Sequence, residues 1–265
     1  MLTGVLGQPV AHSRSPAMHN AAFAALGLAP EWRYVALPVP GELFDETVRA
    51  LPASGYRGAN VTIPHKLLAL AIADEASEAA RGAGAANTLT FGDDGAIHAD
   101  NTDIGGLIDA IGEPPSSALV LGAGGAARGV IWALLGAGTD VAVWNRTSGR
   151  AVALAGELGA RAVEAVEAGS YDAVVNATSI GLDTTLSDES ALAALGLEGQ
   201  AAPPVVVDLV YRGTAGATPL QHWAEQGQAR FVDGLEILVR QGARSFEIWT
   251  GRKPPLDVMR AAARA

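Results

Sequence analysis

The stretch ALVLGAGGAARGVIWALLGAG, residues 118–138, decides the fold of this chain. An apolar run, a glycine-rich turn and a helix-like apolar pattern follow one another, which predicts a strand, a tight turn and a helix. Within it, GAGGAA fits the pattern G-x-G-x-x-G/A: Gly122 permits the turn, Gly124 lets the backbone approach a pyrophosphate, and Ala127 allows close helix packing. The stretch therefore predicts a dinucleotide-binding site, and an ordinary small-residue turn is the alternative.

The start of the predicted helix explains how phosphates would be bound. Its first N–H groups have no partner inside the helix, and the helix dipole places positive charge at the same end. The residues of the turn that we expect to contact the cofactor are Gly122, Ala123, Gly124, Gly125 and Ala126.

The segment after the next predicted strand distinguishes NAD from NADP. NAD-binding proteins place an Asp or Glu about 20 residues beyond the turn, where it accepts a hydrogen bond from the ribose 2′-hydroxyl. This chain has WNRTSGR (144–150) in that region, with Asn145 and Arg146 and no carboxylate. A guanidinium binds a 2′-phosphate in a bidentate manner, whereas an acid repels it. We therefore expect NADP, with a solvated loop arginine as the alternative for Arg146.

The other apolar runs predict an α/β protein with two series of strands and helices. The strands expected after the turn are 140–146, 171–182, 204–211 and 230–234. They end in polar groups, which is typical of a doubly wound sheet with ligands beyond its carboxyl ends. The elements expected before it are strands at 3–7, 31–39 and 56–64, helices at 15–27 and 41–52, and a hairpin over 87–103. Ser15 is expected to cap the first helix, and residues 235–265 to be helical.

Composition excludes several classes of protein. The chain has 265 residues, 49% of them hydrophobic, which is enough for a sizeable core. A net charge of −10 without a basic stripe argues against nucleic-acid binding. There are no cysteines, so disulfides and thiolate chemistry are excluded. No metal cluster, secretion signal or apolar run of about 18 residues is recognisable, and a cytoplasmic protein is the default expectation.

Four short polar stretches in the first series indicate a substrate site. HSRSP (12–16) offers the hydroxyls of Ser13 and Ser15 at a helix start, a combination suited to a small carboxylate. Helix capping explains Ser15 alone and leaves Ser13 without a role. GAANT (84–88) adds Asn87. We expect these side chains to lie together at the carboxyl ends of their strands.

The two remaining stretches contain the candidate catalytic groups. NVTIPHK (60–66) contains Thr62 and Lys66, and DNTD (100–103) contains Asp103. A lysine and an aspartate that meet there form a partly buried ion pair, which holds the ammonium where it can pass a proton to or from an oxygen. A ketone that accepts a hydride needs such a group, because its oxygen gains negative charge. Taken one at a time, each residue is equally compatible with an ordinary surface charge or turn.

The motifs occur together in the order and spacing of the shikimate dehydrogenase family, which the whole chain resembles. They are GQPVAHSRSPAMHN, NVTIPHK, GAANT, DNTDIGG, GAGGAAR, NRT, NATSIGL, DLVY, TPL and GLEILVRQGARSFEIW. The resemblance implies NADPH-dependent reduction of 3-dehydroshikimate to shikimate in aromatic amino-acid biosynthesis. It also implies a substrate domain of residues 1–103, an NADP-binding Rossmann domain of 104–234, and C-terminal helices over 235–265 that return to the substrate domain.

The resemblance also implies roles for individual residues. Lys66 and Asp103 would be the catalytic pair. The substrate would be bound by Ser13, Ser15, Thr62 and Tyr211 at its carboxylate and by Asn87, Asp103 and Gln241 at its hydroxyls. The cofactor would contact Asn145, Arg146 and Thr147 at its 2′-phosphate, and Thr178, Leu209 and Gly234 elsewhere. A monomer and a homodimer are both compatible with the sequence.

Three alternatives stay open at this point. An NAD-dependent quinate/shikimate dehydrogenase is the nearest, although the NRT stretch argues against it. A non-catalytic NADP-binding regulator on the same scaffold would be free to lose Lys66 or Asp103, and both are present. A folate dehydrogenase of two-domain Rossmann type would lack the paired serines of HSRS.

Overall fold

The structure, a computed structural model, describes residues 1–212 and 216–265. Its strands are β1 (Leu2–Gly7), β2 (Arg33–Pro38), β3 (Tyr56–Val61), β4 (Glu75–Ala76), β5 (Thr88–Phe91), β6 (Ile97–Asp100), β7 (Ser117–Leu121), β8 (Asp140–Trp144), β9 (Arg161–Ala162), β10 (Ala173–Asn176), β11 (Val205–Asp208) and β12 (Arg230–Val232). Its helices are α1 (Ser15–Ala25), α2 (Phe44–Ala50), α3 (Lys66–Ile72), α4 (Glu78–Ala83), α5 (Thr102–Ile111), α6 (Gly125–Gly136), α7 (Ser148–Leu158), α8 (Asp188–Ala194), α9 (Pro219–Gln226), α10 (Gly234–Thr250) and α11 (Leu256–Arg264).

The chain divides into two compact units. The first comprises Met1–Gly106 and Leu238–Ala265, and the second comprises Leu107–Ile237. Both divisions fall inside helices, α5 and α10, rather than in loops. The assignment of substrate binding to one unit and cofactor binding to the other stays a prediction.

The second unit contains a parallel sheet of the doubly wound type. Its described strands follow the order β12-β11-β10-β7-β8-β9, and every pair is parallel. If β7 is numbered 1 and the later strands 2 to 6 along the chain, the sheet read from β9 to β12 has the order 3-2-1-4-5-6. In sheets of this order, ligands bind where the strand order reverses. The reversal lies beside β7, the first strand of this sheet in the chain. The apolar runs form these strands because both faces are buried, and Leu119, Leu121, Val174 and Val206 are among the core residues.

The first unit contains a mixed sheet of the order β2-β1-β3-β5-β6-β4. β1 pairs in parallel with β2 and β3, and the predicted hairpin forms as antiparallel β5 and β6. β3 and β5 are also antiparallel, so the sheet is less parallel than the alternation of strands and helices predicts. The last helix, α11, packs against α1. The predicted α/β fold class, including C-terminal helices that return to the first unit, is therefore confirmed.

Two local predictions differ from the structure. The cap residue of α1 is Arg14, so Ser15 is the first helical residue and does not cap the helix. Instead, the Ser15 N–H donates to Oγ of Ser13 at 3.3 Å, which gives the Ser13 hydroxyl a partner in the turn before the helix. The predicted helix over 41–52 is shorter, because α2 is preceded by a 3₁₀ turn at Gly41–Leu43 and followed by another at Pro52–Ser54.

Glycines allow α10 to lie close to two other helices of the first unit. A Cβ on Gly106 of α5 would lie 2.7 Å from the backbone nitrogen of Gln241. A Cβ on Gly242 would lie 2.2 Å from Cε of Met18 on α1. Real Cβ atoms do not approach other atoms so closely, so the contact of α5 with α10 depends on the absence of a side chain at Gly106, whereas a side chain at Gly242 would require the Met18 methyl group to shift. The segment around Gln241 is thereby held between α1 and α5.

Candidate active site

Lys66 and Asp103 form an ion pair in the first unit. Nζ of Lys66 lies 2.5 Å from Oδ2 of Asp103, and the two side chains are 12% and 24% exposed. Lys66 begins α3, because β3 ends at Val61 and the chain turns with the His65 N–H donating to the Thr62 carbonyl oxygen at 2.9 Å. Asp103 lies in the first turn of α5. The two helix starts therefore hold a cation and an anion side by side, both only partly exposed to solvent.

A buried network of amide and hydroxyl groups includes Thr102, the residue that precedes Asp103 in the chain. Nδ2 of Asn87 donates to Oε1 of Gln241 at 3.2 Å, and Oδ1 of Asn87 accepts from the Thr102 N–H at 2.7 Å. Oγ1 of Thr102 also donates to Oδ1 of Asn87 at 3.1 Å. Asn87 is 3% exposed and Gln241 is 6% exposed. Because Thr102 precedes Asp103, the network fixes the start of the helix that carries the aspartate.

Three predicted carboxylate-binding residues, Ser13, Ser15 and Thr62, also belong to the first unit. Ser13 is half-buried and Ser15 is buried. Thr62 lies against β1, because a Cβ on Gly7 would be 2.4 Å from its Cγ2. Among the described residues, no hydrogen bond joins these hydroxyls to the Lys66–Asp103 pair. Tyr211, expected at the same carboxylate, follows β11 in the other unit.

The glycine-rich turn has the geometry that a dinucleotide requires. Gly122 has a φ of +115°, and a Cβ on it would lie 3.0 Å from the Ala177 carbonyl oxygen and 3.1 Å from Cγ2 of Thr178. Gly124 caps α6 in an extended conformation, and nothing among the described residues lies within 4 Å of the place a Cβ would occupy. The start of this 12-residue helix therefore faces open space, which fits a pyrophosphate.

The predicted 2′-phosphate residues follow β8, the neighbour of β7. Nδ2 of Asn145 donates to the Thr147 carbonyl oxygen at 3.0 Å, which shapes the turn into α7. Arg146 and Arg150 are exposed. A guanidinium in this place can meet an anion from solvent, in agreement with the choice of NADP over NAD.

A buried carboxylate in the second unit is not predicted by the sequence reasoning. Asp208 ends β11, is 0% exposed, and accepts hydrogen bonds from Asn176 (2.9 Å), the Val210 N–H (3.0 Å) and Thr218 (2.7 Å). Burial raises the pKa of Asp208 to about 6, and the three hydrogen bonds oppose that rise. Asp208 and its partners lie in the motifs NATSIGL, DLVY and TPL. A polar residue at the end of an apolar strand is the sequence signal that could have indicated this buried carboxylate.

The predicted residues Leu209 and Gly234 lie beside this carboxylate. A Cβ on Gly234 would lie 2.8 Å from the Asp208 and Val210 carbonyl oxygens and 2.9 Å from that of Leu209. The backbone after β11 therefore packs directly on the start of α10, and only glycine fits there.

His19 and His65, which adjoin the site motifs in the sequence and are expected to be structural rather than catalytic, make contacts that the sequence does not predict. His65 is buried, its Nε2 lies 2.7 Å from the Val39 carbonyl oxygen, and its ring packs on Phe44. His19 stacks on Tyr34 with ring centroids 4.2 Å apart, and neither ring nitrogen has a hydrogen-bond partner among the described residues. Complete burial lowers the pKa of His19 to about 3, so its ring is neutral.

Over residues 1–212 and 216–265, no group of three or more His, Cys, Asp or Glu side chains is placed to hold a metal ion. In the same part of the chain, no helix is long and apolar enough to cross a membrane.

A parallel sheet with a glycine-rich turn at its reversal point defines a Rossmann-type dinucleotide-binding protein. Comparison with known proteins gives the family. Family models match residues 5–89 (shikimate dehydrogenase substrate binding domain), 114–211 (shikimate / quinate 5-dehydrogenase) and 234–264 (shikimate 5′-dehydrogenase C-terminal domain). The chain belongs to the shikimate dehydrogenase family.

Individual relatives resemble the chain over nearly its whole length. The shikimate dehydrogenase (NADP(+)) of Paracoccus denitrificans is 43% identical, with 97% of this chain and 93% of that protein covered. The shikimate 5-dehydrogenase of Thermus thermophilus, solved with NADP(H) and shikimate, is 40% identical with a TM-score of 0.86, covering 100% and 98% of the two chains. That of Listeria monocytogenes, solved with shikimate and NAD, is 28% identical with a TM-score of 0.82, covering 98% and 95%.

Proposed function

We propose that this protein catalyses the reversible, NADP-dependent reduction of 3-dehydroshikimate to shikimate, a step of the shikimate pathway towards chorismate and the aromatic amino acids. The observation that carries the proposal is the Lys66–Asp103 pair, 2.5 Å apart and partly buried. It lies in a chain whose relatives are named shikimate dehydrogenase (NADP(+)).

The ion pair supplies the proton chemistry of the reaction. The bound NADPH supplies a hydride to the carbonyl carbon. Lys66 donates a hydrogen bond to the carbonyl oxygen and transfers a proton to it as negative charge develops there. Asp103 holds the Lys66 ammonium in position and accepts a hydrogen bond from a neighbouring substrate hydroxyl. In the oxidation of shikimate, the same lysine takes the proton back.

The polar groups of the first unit suit a small hydroxylated carboxylate. Ser13 and Ser15 bind the carboxylate at the start of α1, where the helix N–H groups also favour an anion. Thr62 and Tyr211 add hydroxyl donors to it. Asn87 and Gln241 present amide groups to the ring hydroxyls, and their mutual hydrogen bond fixes the direction of each amide.

The cofactor is held by the second unit. Gly122, Ala123, Gly124, Gly125 and Ala126 surround the pyrophosphate with backbone N–H groups. Asn145, Arg146 and Thr147 bind the 2′-phosphate, with the guanidinium supplying the charge. Thr178, Leu209 and Gly234 border the nicotinamide side.

Initial rates with each pair of substrates test the proposal. Reduced nicotinamide is followed by absorbance with shikimate or quinate as substrate and NADP or NAD as cofactor. Rapid turnover of shikimate with NADP and slow turnover of the other combinations is expected. Equal or faster turnover of quinate with NAD would identify the NAD-dependent alternative. Absence of turnover together with tight NADP binding would identify a regulator.

The compartment and the assembly of the protein are also proposals. A cytoplasmic location fits a reaction that uses NADPH and small soluble acids. Both a monomer and a homodimer are compatible with the proposed reaction, and the mass in solution by light scattering distinguishes them.

A further inference from the structure

The carboxylate of Asp208 joins three separate segments of the second unit. Oδ1 accepts from Nδ2 of Asn176, at the end of β10, and from the N–H of Val210, just after β11. Oδ2 accepts from the hydroxyl of Thr218, the cap residue of α9. The partners are an amide, a backbone N–H and a hydroxyl, and all of them donate. A group with two acceptor oxygens can satisfy all three donors together. This explains why a carboxylate occupies a position where burial disfavours charge.

Asn176 transmits this restraint to the loop after β10. Its Oδ1 accepts from the Thr178 N–H at 3.0 Å and from the Thr178 hydroxyl at 2.7 Å. Its Nδ2 also donates to the Ile180 carbonyl oxygen at 3.0 Å. Thr178 is the residue whose methyl group lies against Gly122 of the glycine-rich turn. Asp208 thus orients the Asn176 amide, and that amide fixes the loop beside the turn.

Val210 transmits the restraint from Asp208 to the loop after β11. The hydrogen bond from its N–H to Oδ1 of Asp208 curls the backbone immediately after β11. The carbonyl oxygens of residues 208–210 then lie against Gly234. One carboxylate therefore restrains the loops after β10 and β11, the two strands nearest the reversal point on that side of the sheet.

We infer that Asp208 is a positioning residue for the cofactor: it orders the loops after β10 and β11, and so sets the affinity for NADP and the placement of its nicotinamide. The inference rests on the proposed function. Asp208 itself touches neither substrate nor cofactor, and acts through Thr178, Leu209 and Gly234.

Three variants test this role. Asp208→Ala removes all three acceptor contacts. Asp208→Asn keeps one oxygen for Asn176 and Val210, and its amide faces the Thr218 hydroxyl, so the loops keep most of their restraint. Asp172→Ala is the matched control, because Asp172 also bridges two strands of the same sheet, by accepting from Ser117, but at their amino ends.

The measurements are the dissociation constant of NADP⁺ by titration calorimetry, the KM values for NADP⁺ and shikimate, and the thermal midpoint. For Asp208→Ala we expect a dissociation constant raised about tenfold or more, since buried donors lose their partner. We expect the KM for shikimate to change less than the dissociation constant of NADP⁺, because Tyr211 is the one proposed substrate-binding residue that lies in the second unit. Asp208→Asn should recover most of the affinity, and Asp172→Ala should lower only the thermal midpoint.

The outcomes are distinguishable. NADP⁺ affinity close to that of wild type in a folded Asp208→Ala protein overturns the inference. So does an equal loss of affinity in Asp172→Ala, which would reveal a general effect of stability. If Asp208→Ala does not fold, Asn176→Ala decides, because it removes the amide that links the carboxylate to the loop after β10: weakened NADP⁺ binding supports the inference and unchanged binding overturns it. A wild-type protein that does not bind NADP⁺ overturns the proposed function as well.

Discussion

Nζ of Lys66 lies 2.5 Å from Oδ2 of Asp103, although 37 residues separate them in the chain. Each residue lies in the first turn of a helix, α3 and α5 respectively. The pair is therefore positioned by two independent pieces of backbone. A change to either side chain alters the charge of the site without moving the helices, which makes the pair suitable for mutational tests.

Replacement of Lys66 by alanine tests the proton-transfer role. We expect kcat to fall by about 10²–10⁴-fold, the usual contribution of a general acid–base group, with a modest change in the KM for shikimate. Stopped-flow or steady-state rates with shikimate and NADP⁺ measure it. Leu68→Ala, an exposed position on the same helix, serves as the control. Near-normal turnover of the Lys66 variant would mean that a water or another group supplies the proton.

Replacement of Arg146 by alanine tests cofactor choice. Loss of a charged hydrogen bond to the 2′-phosphate should weaken NADPH binding by about ten- to a hundredfold and leave NADH binding nearly unchanged. Fluorescence titration with both cofactors measures the ratio. Arg161→Ala, which removes an exposed arginine near Asp140, controls for the loss of positive charge. Equal weakening of both cofactors would exclude Arg146 from 2′-phosphate recognition.

Replacement of His19 by leucine tests whether the buried His19 ring is neutral in the folded protein. The pKa of His19 is lowered from 6.5 to about 3 in the folded protein, so between these values only the unfolded chain binds the proton. The stability that His19 contributes is therefore lost as pH falls below about 6.5, and it is retained above that pH. Between about pH 7 and pH 5, wild type should lose about 2 kcal/mol relative to His19→Leu.

Urea unfolding at several pH values measures this difference. Asp208, whose pKa is raised to about 6, changes stability in the opposite direction over the same range, but it is present in both proteins and cancels in the comparison. A stability difference between wild type and His19→Leu that does not depend on pH would contradict a neutral His19.

Replacement of Gly106 by alanine tests the contact between α5 and α10. The new Cβ would lie 2.7 Å from the backbone of Gln241, so the helices must separate, at a cost of about 1–3 kcal/mol. Movement of Gln241 should also raise the KM for shikimate. Gly136→Ala in α6 is the control, because nothing among the described residues lies within 4 Å of its Cβ position. Equal stability of the two variants would show that α5 and α10 adjust freely.

Local patterns predict most of the fold, because strand and helix periods depend on neighbouring residues. The strand, turn and helix around Gly122 form as the glycine pattern predicts. Ser15 does not cap α1, because the cap position depends on backbone angles at Arg14 that no single residue type dictates. Helix and strand ends also shift by a few residues for the same reason.

Apart from the Lys66–Asp103 ion pair, contacts between distant residues are the part that the sequence reasoning does not predict. The stacking of His19 on Tyr34 and the hydrogen bond of His65 to Val39 join elements that the pattern of single segments cannot pair. Asp208 is missed for a related reason: a strand-terminal aspartate is common, and its burial depends on Asn176 and Thr218.

The hydrogen bond between Asn87 and Gln241 has a consequence for the synthesis of the protein. It spans 154 residues, and Gln241 lies in the part of the first unit that is translated last. The second unit, Leu107–Ile237, is continuous and leaves the ribosome earlier. Because domains fold as they emerge, the second unit of a nascent chain can fold before the last part of the first unit has been translated. The Asn87–Gln241 hydrogen bond can form only after that, once residue 241 has emerged, so these two amides reach their final orientation last.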